Sequence, residues 1–136
     1  MEIRLATIQD IEILVKYDSH ISKQELENII CLNRVYIAEE KGCFLGWLRY
    51  NLFWDNTPFM NMLYLLEDYR GQGFGRKLVE RWEKDMRKLN YEIVMTSTAS
   101  DEYAQHFYNK LGYITVGGFR FKDDPFEVIL LKNIID

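Results

Sequence analysis

The sequence predicts a mixed α/β fold: a central, mostly antiparallel sheet with helices on both faces. Three observations predict it. Aromatic and branched runs at 35–38, 43–53 and 59–66 are separated by the turns Glu40-Lys41-Gly42 and Asp55-Asn56-Thr57-Pro58, so they read as an antiparallel meander. Phe74, Leu78, Trp82, Met86 and Leu89 recur at three- and four-residue spacing with charges between them, which predicts an amphipathic helix over 73–89. That helix lies between the 59–66 strand and another at about 92–97 around Ile93-Val94-Met95. Such a crossover makes the two strands parallel neighbours.

The remaining elements follow in order. Ile3-Arg4-Leu5 alternates and reads as a first strand. Thr7 with Asp10 three residues on is a capping-box variant, and Ile11, Leu14 and Val15 then share a helical face. Ser22 and Glu25 form a second box before the apolar stripe Leu26, Ile29 and Ile30. Asn90 is placed to end the long helix. Ala104, Phe107, Tyr108 and Leu111 mark a further amphipathic helix closed by Gly112. Strands at 113–121 and 126–131 flank the turn Lys122-Asp123-Asp124-Pro125. There is no repeat, linker or change of composition, so residues 1–136 read as a single domain.

Composition excludes several classes of function. The 48% hydrophobic and 28% charged content argues against a disordered chain. With 17 Lys+Arg against 21 Asp+Glu the net charge is −4, so the broad basic footprint of a nucleic-acid binder is missing. No basic segment runs into an apolar leader and no apolar run reaches the roughly 18 residues of a membrane span, so the expectation is a cytoplasmic protein with no membrane partner. Cys31 and Cys43 form no metal-ligand pattern and are expected to be reduced, partly buried thiols. No metal site is expected.

The chemistry concentrates in Arg70-Gly71-Gln72-Gly73-Phe74-Gly75-Arg76, between a strand and the long helix. Glycines there allow positive φ and close approach of a ligand to the backbone. The helix start adds free N–H groups and a positive dipole end, and Arg70, Arg76 and Lys77 add charge. Together these suit a phosphate or pyrophosphate. The Walker A spacing fails, because the residue five places after Gly71 is Arg76. A dinucleotide fingerprint fails at the same Arg76, and a mostly antiparallel sheet does not suit it.

What remains, Arg-x-x-Gly-x-Gly opening a helix, resembles motif A of the GNAT superfamily of N-acetyltransferases. Leu63-Tyr64-Leu65-Leu66-Glu67-Asp68-Tyr69 resembles the family's fourth strand and its exit. Ala104-x-x-Phe107-Tyr108-x-x-Leu111-Gly112-Tyr113 resembles its motif B, and Ile3-Arg4-x-Ala6-Thr7-x-x-Asp10 its usual opening. The resemblance implies splayed fourth and fifth strands with acetyl-CoA as co-substrate in the gap. It assigns Leu63, Tyr64 and Leu65 to the pantetheine and acetyl end, with a backbone N–H near Leu65 as oxyanion donor. It assigns Arg70, Gly71, Gln72, Gly73, Phe74, Gly75 and Arg76 to the pyrophosphate. Tyr108 matches the family's general acid, whose ordinary phenol pKa of about 10 suits protonation of a thiolate. Asp101 stands where the family often has Asn, so a cofactor contact there loses its amide donor.

The implied reaction is acetyl transfer to a primary amine, on a small molecule or a peptide, within a ternary complex. The C-terminal strands often build dimers in this family, so a homodimer is an expectation. Glu67, Asp68 and Asp55 are carboxylates near the fourth strand, and Asn61 and Tyr50 could orient a water, but none is singled out as the base. His20 and His106 look less suited. Trp47, Tyr50, Phe53, Trp54, Phe59 and Tyr64 divide among acceptor wall, core and interface. The rival readings are a non-catalytic CoA-binding or sensing module of the same fold and a nucleotide-phosphate binder.

Overall fold

Seven strands, β1 (Glu2–Leu5), β2 (Val35–Glu40), β3 (Cys43–Phe53), β4 (Thr57–Leu65), β5 (Ile93–Ala99), β6 (Ile114–Phe119) and β7 (Glu127–Asn133), hydrogen-bond in the order β1-β2-β3-β4-β5-β7-β6. The computed structural model describes residues 1–135. The chain forms two compact units: Met1–Asn51 with Met62–Val79, and Leu52–Asn61 with the chain from Glu80 onward.

In the first unit, β1 (Glu2–Leu5) pairs antiparallel with β2 (Val35–Glu40), which pairs antiparallel with β3 (Cys43–Phe53). Lys41 (φ 51°) and Gly42 (φ 79°) form the two-residue turn between β2 and β3; paired positive φ matches the right-handed twist of a hairpin. A register shift opposite Ala38 and Glu39 places a bulge in β3. It re-aims the following side chains, so Phe44 and Trp47 stack with centroids 5.9 Å apart.

Helices α1 (Ile11–Tyr17) and α2 (Lys23–Cys31) cover this sheet region. Leu14, Leu26, Ile29 and Ile30 pack with Val35, Ile37 and Trp47 into one core. Val15, expected on the same face as Leu14, is exposed, because a seven-residue helix buries only a narrow stripe. The first capping box is present but caps the short 3₁₀ turn Ile8–Asp10 that precedes α1. Ser22 accepts from the Glu25 amide at 3.2 Å.

The link after α1 contains an unanticipated anchor. Asp18 is buried, and its carboxylate accepts from Arg49 Nε at 2.7 Å and Trp47 Nε1 at 3.1 Å. A buried charge is tolerated only when paired and hydrogen-bonded in this way.

Helix α3 (Phe74–Lys88), β3 and β4 (Thr57–Leu65) each run through both units. The predicted turn at 55–58 is displaced toward the N-terminus. Trp54 (φ 55°) and Asp55 (φ 63°) take the left-handed positions, and Thr57 and Pro58 already belong to β4.

In the second unit, β5 (Ile93–Ala99) pairs parallel with β4 at Phe59↔Met95 and Met60↔Thr96, and among the described residues the ladder goes no further. It pairs antiparallel with β7 (Glu127–Asn133) along its whole length. The edge strand β6 (Ile114–Phe119) is shorter than predicted at both ends and exposed throughout. Helix α4 is Ala104–Lys110, with Gly112 at φ 97° just beyond it. Asn90, at φ 70°, terminates α3 as its position implied. Glu83 of α3 is buried and accepts from Tyr113 Oη at 2.7 Å and Lys132 Nζ at 2.8 Å, which ties α3 to β7 and to the turn after α4.

Candidate active site

The sequence from Leu63 to Lys77 stays together in the first unit. Strand β4 presses on β3 at Gly46, where an added Cβ would collide with the Tyr64 carbonyl and with Leu65. Only glycine permits this approach, so Gly46 fixes the path of the β4 backbone at Tyr64 and Leu65. Leu63 and Leu65 are half-buried, while Tyr64 is 40% exposed and lies tilted against Trp47, ring centroids 5.0 Å apart.

After β4 a 3₁₀ turn, Glu67–Tyr69, leads to Arg70. Arg70 folds back on its own strand: Nε donates to the Leu65 carbonyl at 2.8 Å, and the guanidinium lies 5.0 Å from the Tyr64 ring centroid. It therefore braces the strand-to-loop corner as well as carrying charge. Gln72 Nε2 donates to the Asp68 carbonyl at 3.1 Å and ties the loop internally.

Gly71 (φ 74°) and Gly73 (φ 84°) both adopt left-handed backbone, and a Cβ on either would meet nothing within 4 Å. The loop is open on its outer side at the start of α3. Phe74 and Gly75 are half-buried, and Arg76 and Lys77 are exposed. The first turn of α3 carries no acidic residue, and its last turn carries Arg87 and Lys88. The C-terminal charges complement the helix dipole. Arg76 and Lys77 oppose it, each at an ordinary cost of about 0.3–1 kcal/mol. An anion at the helix start reverses that sign.

Tyr108 belongs to the second unit. It is 7% exposed and packs edge-on against Phe107 at 5.2 Å and Tyr113 at 5.7 Å. Burial pushes the phenol up to about 12, with the nearby Thr96 hydroxyl working against that rise and the charge of Glu102 adding to it. Tyr108 is thus a weaker acid than the ordinary phenol the sequence suggested, because its helix face turns into packed side chains. Burial and the adjoining Glu83 carboxylate raise Tyr113 further still.

Asp101 is exposed in the turn between β5 and α4. It does not cap α4: Tyr103 holds that position, with no side-chain cap bond. Gln105 Nε2 instead donates to the Ser100 carbonyl at 2.7 Å and closes the turn.

Glu67, Asp68, Asp55 and Asn61 are exposed, and Tyr50 is buried. His20 and His106 are exposed, as are Cys31 and Cys43, which the sequence placed partly inside. The aromatic group divides between surface and interior. Trp47 and Tyr50 are buried, Phe53 and Phe59 stack at 6.0 Å, and Trp54 is 80% exposed at its turn. Among the described residues, no three His, Cys, Asp or Glu side chains are placed to hold a metal ion. Among the described residues no helix is long and apolar enough to cross a membrane.

The family model for GNAT acetyltransferases matches residues 7–113. The chain belongs to the GNAT acetyltransferase family. Solved structures share its fold over nearly its full length. Ard1 from Thermoplasma volcanium superposes with a TM-score of 0.85 at 15% identity, covering 99% of this chain and 98% of that one. The PaiA N-acetyltransferase from Thermoplasma acidophilum, in complex with coenzyme A, gives 0.80 at 20% identity, with 97% and 98% covered. An aminoglycoside 6'-N-acetyltransferase complexed with coenzyme A gives 0.82 at 16% identity, with 100% and 98% covered. No curated protein matches the chain in sequence.

Proposed function

We propose that this protein is an acetyl-CoA-dependent N-acetyltransferase that moves an acetyl group directly to a primary amine within a ternary complex. The observation that carries the reading is the start of α3. Two open, left-handed glycines precede a helix whose first turn is basic against its own dipole. That arrangement is stabilised by a bound pyrophosphate.

Acetyl-CoA, when bound, supplies the acyl group as a thioester. In this reading Gly71, Gln72, Gly73, Phe74, Gly75 and Arg76 hold the pyrophosphate through backbone N–H groups and charge. Arg70 contributes by holding the corner at Leu65. Leu63, Tyr64 and Leu65 line the pantetheine, and the Leu65 N–H polarises the acyl carbonyl. Asp101, lacking an amide donor and exposed, makes at most a charged rim contact. Tyr108 gives its proton to the departing sulfur. Residues 1–136 act as one domain in this proposal, a reading supported by the three elements that run through both units. The acceptor is a small-molecule or peptide amine; relatives in the fold include an aminoglycoside 6'-N-acetyltransferase and the NatC complex bound to Gag peptide and CoA. A cytoplasmic homodimer is the proposed working form.

Release of CoA thiol from acetyl-CoA, followed with hydroxylamine and then a panel of polyamines, aminoglycosides and peptide N-termini, tests the proposal. Acceleration with hydroxylamine is expected. CoA binding without acceleration for any acceptor would support the sensing-module alternative instead.

A further inference from the structure

Gly46 of β3 stands against the end of β4. A Cβ built on it would collide with the Tyr64 carbonyl oxygen. It would also lie 2.8 Å from a Leu65 side-chain methyl and 3.0 Å from the Leu65 Cα. Two of these three atoms belong to the backbone, so no change of rotamer makes room and the strand itself must shift. The Tyr64 carbonyl thus faces β3. Two residues on, the Leu66 N–H also faces β3 and donates to the Leu45 carbonyl at 2.9 Å.

These two contacts fix the directions of the groups between them. The peptide bonds of this segment are trans, and a trans peptide points its C=O and its N–H opposite ways. The peptide that turns the Tyr64 carbonyl to β3 therefore turns the Leu65 N–H away from it. The next peptide, with its N–H on β3, turns the Leu65 carbonyl away as well. Arg70 meets that carbonyl there, with Nε donating at 2.8 Å. Leu65 thus presents both of its backbone polar groups on the side of β4 remote from β3. The guanidinium on the carbonyl offsets the negative end of the dipole that stands beside the N–H. Among the described residues the β4–β5 ladder ends at Met60, so that ladder makes no claim on the Leu65 N–H.

We infer that Gly46 is a positioning residue for acyl transfer: by admitting the Tyr64 carbonyl against β3 it aims the Leu65 N–H at the acyl oxygen, and Arg70 holds the same segment from the opposite side. The inference rests on the reading of Leu65 as the oxyanion donor in an acetyl-CoA-dependent transfer. In the balanced step the amine nitrogen bonds to the acyl carbon while one carbonyl electron pair moves onto oxygen, beside the Leu65 N–H. That pair returns as the carbon–sulfur bond breaks. Sulfur leaves with the bonding pair and takes the Tyr108 proton, and the proton lost by nitrogen restores the phenol. Gly46 and Arg70 exchange no proton and act through the direction of one N–H. Such a donor is effective only within about 2.7–3.1 Å of the developing charge, so a turned peptide costs rate rather than binding.

Two readouts test this. Gly46→Ala should lower kcat for CoA release from acetyl-CoA with hydroxylamine by about 100-fold, with acetyl-CoA affinity by calorimetry held within roughly threefold. The second readout needs no turnover. In ¹⁵N-leucine-labelled protein the Leu65 amide resonance, identified by its loss in Leu65→Val, is compared at saturation with CoA and with acetyl-CoA. In the wild type the acetyl group should move the amide proton downfield. Gly46→Ala should abolish that difference. Arg70→Met, which releases the Leu65 carbonyl, should reduce it; saturation removes any change in phosphate affinity from the comparison. An acetyl-dependent shift undiminished in Gly46→Ala, or a loss of kcat matched by an equal loss of affinity, overturns the role of Gly46 and leaves Leu65 as the donor. No acetyl-dependent shift in the wild type overturns Leu65 as donor and the inference with it. Wild-type protein that fails to accelerate the hydroxylamine reaction overturns the underlying reading. If Gly46→Ala does not fold, Arg70→Met carries the comparison, and an undiminished shift there overturns the inference.

Discussion

Thr96 Oγ1 donates to the Met60 carbonyl at 2.9 Å, on the same two residues that form the last backbone pair between β4 and β5. One threonine thus closes the parallel ladder with its side chain as well as its backbone. Beyond Met60, β4 continues to Leu65 and β5 to Ala99 without further pairing to each other among the described residues. Backbone groups released in this way need other partners.

Tyr108→Phe should lower kcat by about 100-fold while leaving acetyl-CoA affinity within roughly twofold, the usual scale for losing a general acid. The phenol is raised to about 12, so its acid form persists across the working range. Ionisation of Tyr108 should therefore cause no fall in kcat between pH 8 and 10. Steady-state kinetics across that range check both statements; a Tyr108-dependent fall near pH 9 would contradict the buried environment.

Gly73→Ala places a Cβ on left-handed backbone, at a cost of about 1–2 kcal/mol. The Cβ meets no protein atom but projects into the open side of the loop. A fall of several degrees in melting temperature is expected, together with a roughly tenfold loss of acetyl-CoA affinity. Thermal melts and calorimetry separate the two effects. Unchanged affinity would mean that the loop does not approach the ligand.

Lys77→Glu should change stability and binding in opposite directions. A carboxylate in the first turn of α3 complements the dipole that Lys77 opposes, so the ligand-free protein should gain about 0.3–1 kcal/mol. The same change should weaken acetyl-CoA binding and flatten its salt dependence. Denaturant melts of the free protein and titrations at two ionic strengths provide the check.

Asp10 links acid stability to the first strand. The Arg4 guanidinium, bonded through two nitrogens at 2.8 Å each, holds the Asp10 carboxyl below its ordinary value. A depressed carboxylate contributes stability that is full above the unfolded value near 3.8 and is lost as pH falls through the lower folded value. Asp10→Asn should cost about 1 kcal/mol at pH 7, where it loses the ion pair and weakens the cap on Thr7. The difference between variant and wild type should shrink as pH falls below the unfolded value near 3.8, as read from urea melts at pH 7 and at descending acid pH.

Local patterning made the element order and the glycine loop legible, because helical spacing, capping residues and glycine turns act over a few residues. The Glu40-Lys41-Gly42 turn and Asn90 fell where their side chains implied. What escaped was set by distant partners. Asp18 reads as a solvated carboxylate until Arg49 and Trp47, some thirty positions away, bury it. Thr96 is an unremarked strand residue until the Met60 carbonyl, from a distant strand, accepts its hydroxyl. Trp54 in a left-handed turn defied the local cue, since an aromatic residue is not an ordinary turn former. Motif resemblance carried the Tyr108 assignment, whereas its weakened acidity is visible only in the packing around it.

The most direct measurement is a calorimetric titration of the protein with acetyl-CoA, with ATP as the control. The account predicts saturable acetyl-CoA binding at one site per chain and none for ATP, since the loop lacks the Walker A spacing. No acetyl-CoA binding, or equal binding of ATP, would contradict it and reduce the Arg70–Arg76 loop to a general phosphate site or a plain turn.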